Sequence, residues 1–219
     1  MINLLLKREI KNTCSEWGII LTSMLYFIVA ISLINLAISN LDSSIYQIIT
    51  GPVTWILMMM ISIYFANSIF CKDLDDGSLD SLILSLESLH LLMVIKIFTH
   101  WLIVMLPLGV IGLVNFKLSG NDQSILELLV LIIPVTLTIS AFVSLGSLMA
   151  YNTRLGSLLL GVLVLPLMLP LLIFASAATT ANLFLINDAA VLKILFSLSI
   201  LSLIFIPYFN MLIVKEVNQ

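Results

Sequence analysis

The sequence predicts an all-α integral membrane protein with six transmembrane helices. Three observations predict it. The 219 residues are 61% hydrophobic and only 10% charged, against about 25% charge in average soluble domains. Mean hydropathy is +1.22, more apolar surface than a soluble core of this length can hide. Apolar runs of about 20 residues, long enough to cross a ~30 Å hydrocarbon layer, recur between short polar breaks over a single membrane domain, 1–219. The net charge of −3 is too small to point to a nucleic-acid partner.

The elements follow in order. Residues 1–16 hold Lys7, Arg8, Glu9, Lys11 and Glu16 among apolar residues. They read as an interfacial amphipathic segment, with Trp17 as an anchor at the membrane surface. A cleavable signal peptide is not expected: the apolar run that follows is too long and lacks a small-residue cleavage site. Span one covers about 18–38 and ends at the polar stretch Ser39 to Ser44. Span two covers about 52–70, with Pro52 at a helix start, where its missing N–H costs nothing. Span three, about 97–116, carries Pro107, Gly109 and Gly112, which predict a kink. A polar turn at 117–124 leads to span four, about 125–150, where Ser140, Ala141, Ser144, Gly146, Ser147 and Ala150 allow close helix approach. After the tight loop Tyr151–Arg154, span five covers about 156–178. Its Pro166 and Pro170, four residues apart, predict a helix bent or broken near its middle. Residues 175–187 read as a re-entrant or interfacial piece, and span six covers about 190–212. No internal repeat is evident.

Six spans put both termini on one side, and the basic residues choose it. With the termini inside, the inner segments hold Lys7, Arg8, Lys11, Lys72, Lys96, Arg154 and Lys215; the outer ones hold Lys117 and Lys193. That is a positive-inside pattern. The acidic loop within 72–96 therefore faces the side where ATP is. Asp73, Asp75, Asp76 and Asp80 cannot sit in hydrocarbon as charged groups. Asp76-Gly77 reads as a turn, Ser78 as an N-cap, and Asp80 suits the first turn of a helix. Leu79, Leu82, Ile83 and Leu86 then follow at i, i+3, i+4 and i+7. This short amphipathic helix either lies on protein or headgroups, or docks a water-soluble partner. Its acidity argues against lipid.

Catalytic signatures are sparse. There is no GxxxxGK[ST], so the chain does not hydrolyse ATP by that route. HExxH and GxSxG do not occur either. Cys14 and Cys71 lack ligand-like spacing and read as ordinary thiols. No catalytic, cofactor or metal residue is assigned. Apart from Glu127 at the very start of span four, the predicted spans lack carboxylates, which argues against a proton-coupled transporter. His100, near the inner end of span three, either binds a neighbouring helix or serves a proton or haem pathway. Trp101 is an interfacial belt residue or a substrate platform. His90 is expected to be solvated, and Met58, Met59 and Met60 point in three directions as packing filler.

Two blocks carry a resemblance. Asp73-Leu-Asp-Asp-Gly-Ser-Leu-Asp80, followed by Lys96, His100-Trp101 and Leu106-Pro107-Leu108, resembles the central region of the haem exporter protein B (CcmB) family. So does Leu163 to Ala178 with its Pro166 and Pro170. The chain departs from the pattern at Asn67-Ser68, where a charged pair is common, and at Ser85 and Ser88, where prolines are. The resemblance implies an ABC-2-type exporter permease in haem export, or in release of the haem-loaded chaperone, during c-type cytochrome biogenesis. It implies a separate ATP-binding cassette subunit (CcmA-like), a haem-handling membrane protein (CcmC-like), a small membrane subunit (CcmD-like) and a haem chaperone (CcmE-like). Haem would be the handled species, with ATP bound by the partner subunit. Asp73, Asp75, Asp76, Gly77, Ser78, Leu79, Leu82, Ile83 and Leu86 would form the coupling interface with the ATPase, and His100, Trp101, Pro166 and Pro170 a pathway or interface. The expected location is a bacterial inner membrane, or alternatively the mitochondrial one. A permease for another amphiphile, a lipid or peptide, is the alternative function.

Overall fold

The computed structural model describes residues 2–64, 66–70, 73, 76–77, 89–150, 156–180 and 188–217, and these are helical with tight connections. α1 (Ile2–Cys14) stops at Ser15-Glu16 and is followed by α2 (Trp17–Ile38). α3 (Ser43–Tyr64) leads to a short 3₁₀ turn, Ala66–Ile69. α4 (Leu89–His100), a π-helical turn (Trp101–Met105) and α5 (Leu106–Leu118) form one continuous rod. α6 (Ile125–Ala150), α7 (Gly156–Thr179) and α8 (Asp188–Val217) complete the chain. Five stretches among the described residues are long and apolar enough to cross a membrane: α2, α3, the α4–α5 rod, α6 and Ala189–Val214 of α8. α7 adds a shorter apolar stretch, Val164–Thr179. This is a multi-pass membrane protein.

Several boundaries differ from expectation, each for a physical reason. α3 begins nine residues before Pro52, so that proline lies inside the helix. The extension is held because Thr50 and Gly51 are buried, with Gly51 close against Thr179 of α7. The third rod begins at Leu89 rather than about 97, which places Lys96 and His100 well within it. Its kink takes a specific form. Pro107 has no N–H for the carbonyl of Ile103, and Leu106 N–H donates to Trp101 O in an i→i+5 turn. α7 is not broken: it runs as helix through both Pro166 and Pro170, as membrane helices tolerate. Ala175–Thr179 belong to that helix rather than to a re-entrant piece, while 181–187 lie outside the described residues. α6 matches its expected span, Ile125–Ala150.

α6 is the central helix. In its most apolar window 67% of residues are buried, against 22–44% in the other four spans. It contacts α3, α4, α5, α7 and α8, while α2 packs on α3 and α5 at the edge and α1 packs on α4. Small residues permit this crowding. A Cβ on Gly109 of α5 would lie 2.6 Å from Ile132 Cγ2 of α6, so only glycine lets the two helices meet there. The start of α6 is set by a capping box. Ser124 N–H donates to Glu127 Oε2 at 2.8 Å, and Glu127 N–H donates to Ser124 Oγ at 3.2 Å.

Candidate functional site: a buried charge cluster and a polar seam

Where α1 crosses α4, three buried charged residues meet the half-buried Arg8. Lys96 Nζ donates to Glu9 Oε2 at 3.0 Å and is also hydrogen-bonded to Asp73 Oδ2. Arg8 Nη1 reaches Glu9 Oε1 at 2.7 Å and Arg8 Nη2 reaches Asp73 Oδ1 at 3.0 Å. Glu9, Asp73 and Lys96 are only 2%, 4% and 3% exposed. The Lys96 ammonium also sits 5.2 Å from the Phe70 ring centroid. Two cations thus balance two carboxylates, and each carboxylate is held by both cations. Beside them lies a small polar cavity of about 20 Å³, lined by Asn12, Thr13, Glu16 and Ile69 as well as Glu9, Asp73 and Lys96. That is room for about one water molecule.

The cluster joins three pieces of chain. Glu9 and Arg8 belong to α1, Lys96 to α4, and Asp73 to the start of the acidic segment after α3. Burying three charges is costly, and the arrangement persists only because each of them is paired. These pairs tie the chain at Asp73 both to α1 and to the α4–α5 rod. Sequence reasoning missed the assembly, since it treated residues 1–16 as interfacial. Two signals were available. Glu9 shares a face with Leu5, one turn away and also buried, and Lys96 lies inside the apolar run from Leu91 to Phe98. A lone charge in such a place requires a distant partner.

One turn beyond Lys96 a polar seam joins α4, α6 and α8. His100 Nδ1 lies 2.8 Å from Ser140 Oγ, and Ser140 Oγ donates to Ile97 O at 3.0 Å. A serine has one proton. Since Ser140 gives its proton to Ile97, it accepts from His100, which assigns the Nδ1–H tautomer. The same count applies one turn along α6. Ser144 donates to Ala141 O at 2.6 Å and so accepts from Asn210 Nδ2 at 3.0 Å. His100 Nε2 and Asn210 Oδ1 are left as buried acceptors without a donor among the described residues. Trp101 Nε1 donates to Thr136 Oγ1 at 3.0 Å, so adjacent residues of the rod engage α6 through Ser140 and Thr136.

The opposite end of the bundle is tied by amides. Asn35 Nδ2 donates to Asn115 Oδ1 at 2.7 Å, and Asn115 Nδ2 donates to Thr54 Oγ1 at 2.8 Å, which links α2, α5 and α3. Gln123 and Asn121 donate to Ala178 O at 2.8 Å and Thr179 O at 3.0 Å. These donors satisfy the final carbonyls of α7, which have no partners within the helix. On the outer surface between α2 and α3, an apolar groove of about 450 Å³ is lined by Tyr26, Ala30, Leu57, Met60, Ile61 and Tyr64.

The expected site residues fall as follows. Asp73 is turned inward to Lys96 and Arg8 and not toward a partner's surface. Asp76 and Gly77 are exposed in a turn, with Gly77 at φ +64°, a conformation that suits glycine. Asp75, Ser78, Leu79, Leu82, Ile83 and Leu86 lie outside the described residues, as does Cys71. His100 is buried in the interior, while Trp101 is half-buried as a tie between helices. Pro166 and Pro170 are exposed on the outer surface of α7, away from the seam. His90 is exposed.

The fold and the seam define a multi-pass helical membrane protein with a paired charge cluster at the α1 end. The family described as CcmB protein matches residues 1–215, and the chain belongs to that family. It is 30% identical over 213 residues to the heme exporter protein B of Bradyrhizobium diazoefficiens, covering 94% of each chain. It is 28% identical over 209 residues to that of Pseudomonas aeruginosa, covering 95% of this chain and 93% of the relative. It is 31% identical over 157 residues to that of Escherichia coli K12, covering 71% of each.

Proposed function

We propose that this chain is the membrane permease subunit of an ATP-binding cassette complex that exports haem, or releases a haem-loaded chaperone, in c-type cytochrome assembly. The observation that carries the reading is the family match over residues 1–215, which spans the charge cluster, the seam and all the membrane helices together. In this reading α7 crosses the bilayer as the sixth span, both termini lie inside, and the inner membrane of a bacterium is the location. ATP is hydrolysed by a separate cassette subunit. The haem-handling protein, the small membrane subunit and the chaperone complete the assembly.

Ser78–Leu86 serves as the coupling helix, with Leu82 in a groove of the ATPase. The paired charges at Asp73 support this mechanism, because they bind the chain just ahead of that helix to α1 and the third rod. A push on the helix would then move the rod as a unit rather than deform the connection. The acidic residues that meet the partner are Asp75 and Asp76, since Asp73 is committed within the protein.

The test is complementation. In a strain lacking its own copy, this chain should restore c-type cytochromes, and Leu82→Asp should abolish both restoration and co-purification of the ATPase. Restoration by Leu82→Asp equal to the parent chain would exclude the docking role. A second reading, export of another amphiphile, is favoured by the apolar groove on the α2–α3 surface. It predicts normal c-type cytochromes when the chain is deleted.

A further inference from the structure

Between Lys7 and Glu16 the chain carries three cations and two acids, close to neutral when read as sequence. The fold sorts them by sign. Glu9 is buried against Lys96 and Arg8, and Glu16 lines the small polar cavity. Arg8 reaches inward to both cluster carboxylates. Lys7 and Lys11, one turn apart, are exposed, and no ion pair among the described residues engages either. Ile10 is exposed between them, and Trp17, at the start of α2, is 60% exposed. The exposed face of α1 is therefore cationic around Ile10, and the chain passes from it to the exposed Trp17 at the start of α2. It leads directly into a span of mean hydropathy 2.3, so it lies at the edge of the hydrocarbon.

We propose that Lys7 and Lys11 form a binding site for the phosphodiester headgroup of an anionic phospholipid, with Ile10 and Trp17 seated among the adjoining acyl carbons. A lysine at such a boundary rests its methylene stem on apolar surface and extends its ammonium to the headgroup layer. The burial of Glu9 against Lys96 and Arg8 removes from this face the acid nearest the two lysines, and the half-buried Glu16 is turned to the small polar cavity. The inference stands on this charge placement and does not depend on the cargo or on the ATPase. A lipid accounts for the exposed Ile10 and Trp17 as well as the lysines, which an acidic protein surface does not.

The experiment uses the full chain in phosphatidylcholine nanodiscs containing equal mole fractions of either brominated phosphatidylglycerol or brominated phosphatidylcholine. Quenching of Trp17 emission is read after subtracting the Trp17→Phe variant, which reports Trp55 and Trp101. Brominated phosphatidylglycerol should quench Trp17 several-fold more than brominated phosphatidylcholine. The Lys7→Gln/Lys11→Gln variant should bring that ratio to one, and Lys7→Arg/Lys11→Arg should keep it. Raised salt should lower the ratio in the parent chain by screening, a check that needs no variant. A ratio of one in the parent chain overturns the proposal. So does a preference that survives the glutamine substitutions or is indifferent to salt.

Discussion

Replacing Lys96 with methionine probes the buried charges most sharply. Methionine keeps most of the side-chain volume but removes the buried one of the two cations that both carboxylates share. The cluster changes from neutral, with Arg8 and Lys96 against Glu9 and Asp73, to a net charge of −1. Lys96 is 3% exposed, so water cannot take its place without rearrangement. Removing one partner of such a buried pair costs about 3–5 kcal/mol. For a chain of this size that corresponds to a fall in melting temperature of roughly 6–20 °C. Adding Asp73→Asn restores neutrality, because Arg8 and Glu9 remain paired at 2.7 Å. The double variant should recover much of the loss. The assay is thermal unfolding in mild detergent, run as a double-mutant cycle across the parent chain, Lys96→Met, Asp73→Asn and the double variant. Independent, additive effects of the two substitutions would refute the account of a shared charge balance. So would a Lys96→Met protein as stable as the parent.

Further outcomes follow from the packing and the seam. Gly109→Ala should destabilise by about 1–3 kcal/mol through overpacking, because its methyl group would lie 2.6 Å from Ile132 on the opposing helix. Gly112→Ala should be much milder in the same melting assay, since the nearest atom is the flexible Met58 Cε at 3.1 Å. Asn210→Leu removes an acceptor that has no donor among the described residues. Its melting temperature should stay level or rise, because an unmet buried polar group costs about 1–3 kcal/mol; a fall of comparable size would show that Asn210 Oδ1 is satisfied. Ser140→Ala should destabilise, because it leaves His100 Nδ1–H without its acceptor, and adding His100→Phe should recover part of that loss.

The helices were legible in the sequence because hydrocarbon imposes length and composition locally. α6 emerged with its expected ends, after the polar turn at 117–124 and with small residues marking the packed face. Boundaries failed where tertiary contact overrode a local signal. Pro52 marks a helix start by propensity, yet the helix extends before it, where Thr50 is buried and Gly51 packs against Thr179 of α7. The charge cluster was hidden for a different reason. Its pairs join residues 65 and 87 positions apart, and no periodicity reports such a contact. His100 could be singled out as an unusual residue, but not its partner Ser140, which reads equally well as one of the small residues of a packing face. Asn210 escaped notice because span six looked uniformly apolar around it.

The most direct measurement of the central claim is affinity purification of the intact chain from native membranes, with ATPase activity assayed on the isolated complex and on the chain alone. The account predicts that a nucleotide-hydrolysing subunit co-purifies, that the chain by itself hydrolyses no ATP, and that Leu82→Asp loses the companion while still accumulating in the membrane. A chain that is isolated without any ATP-binding companion, from membranes that still assemble c-type cytochromes, would contradict it.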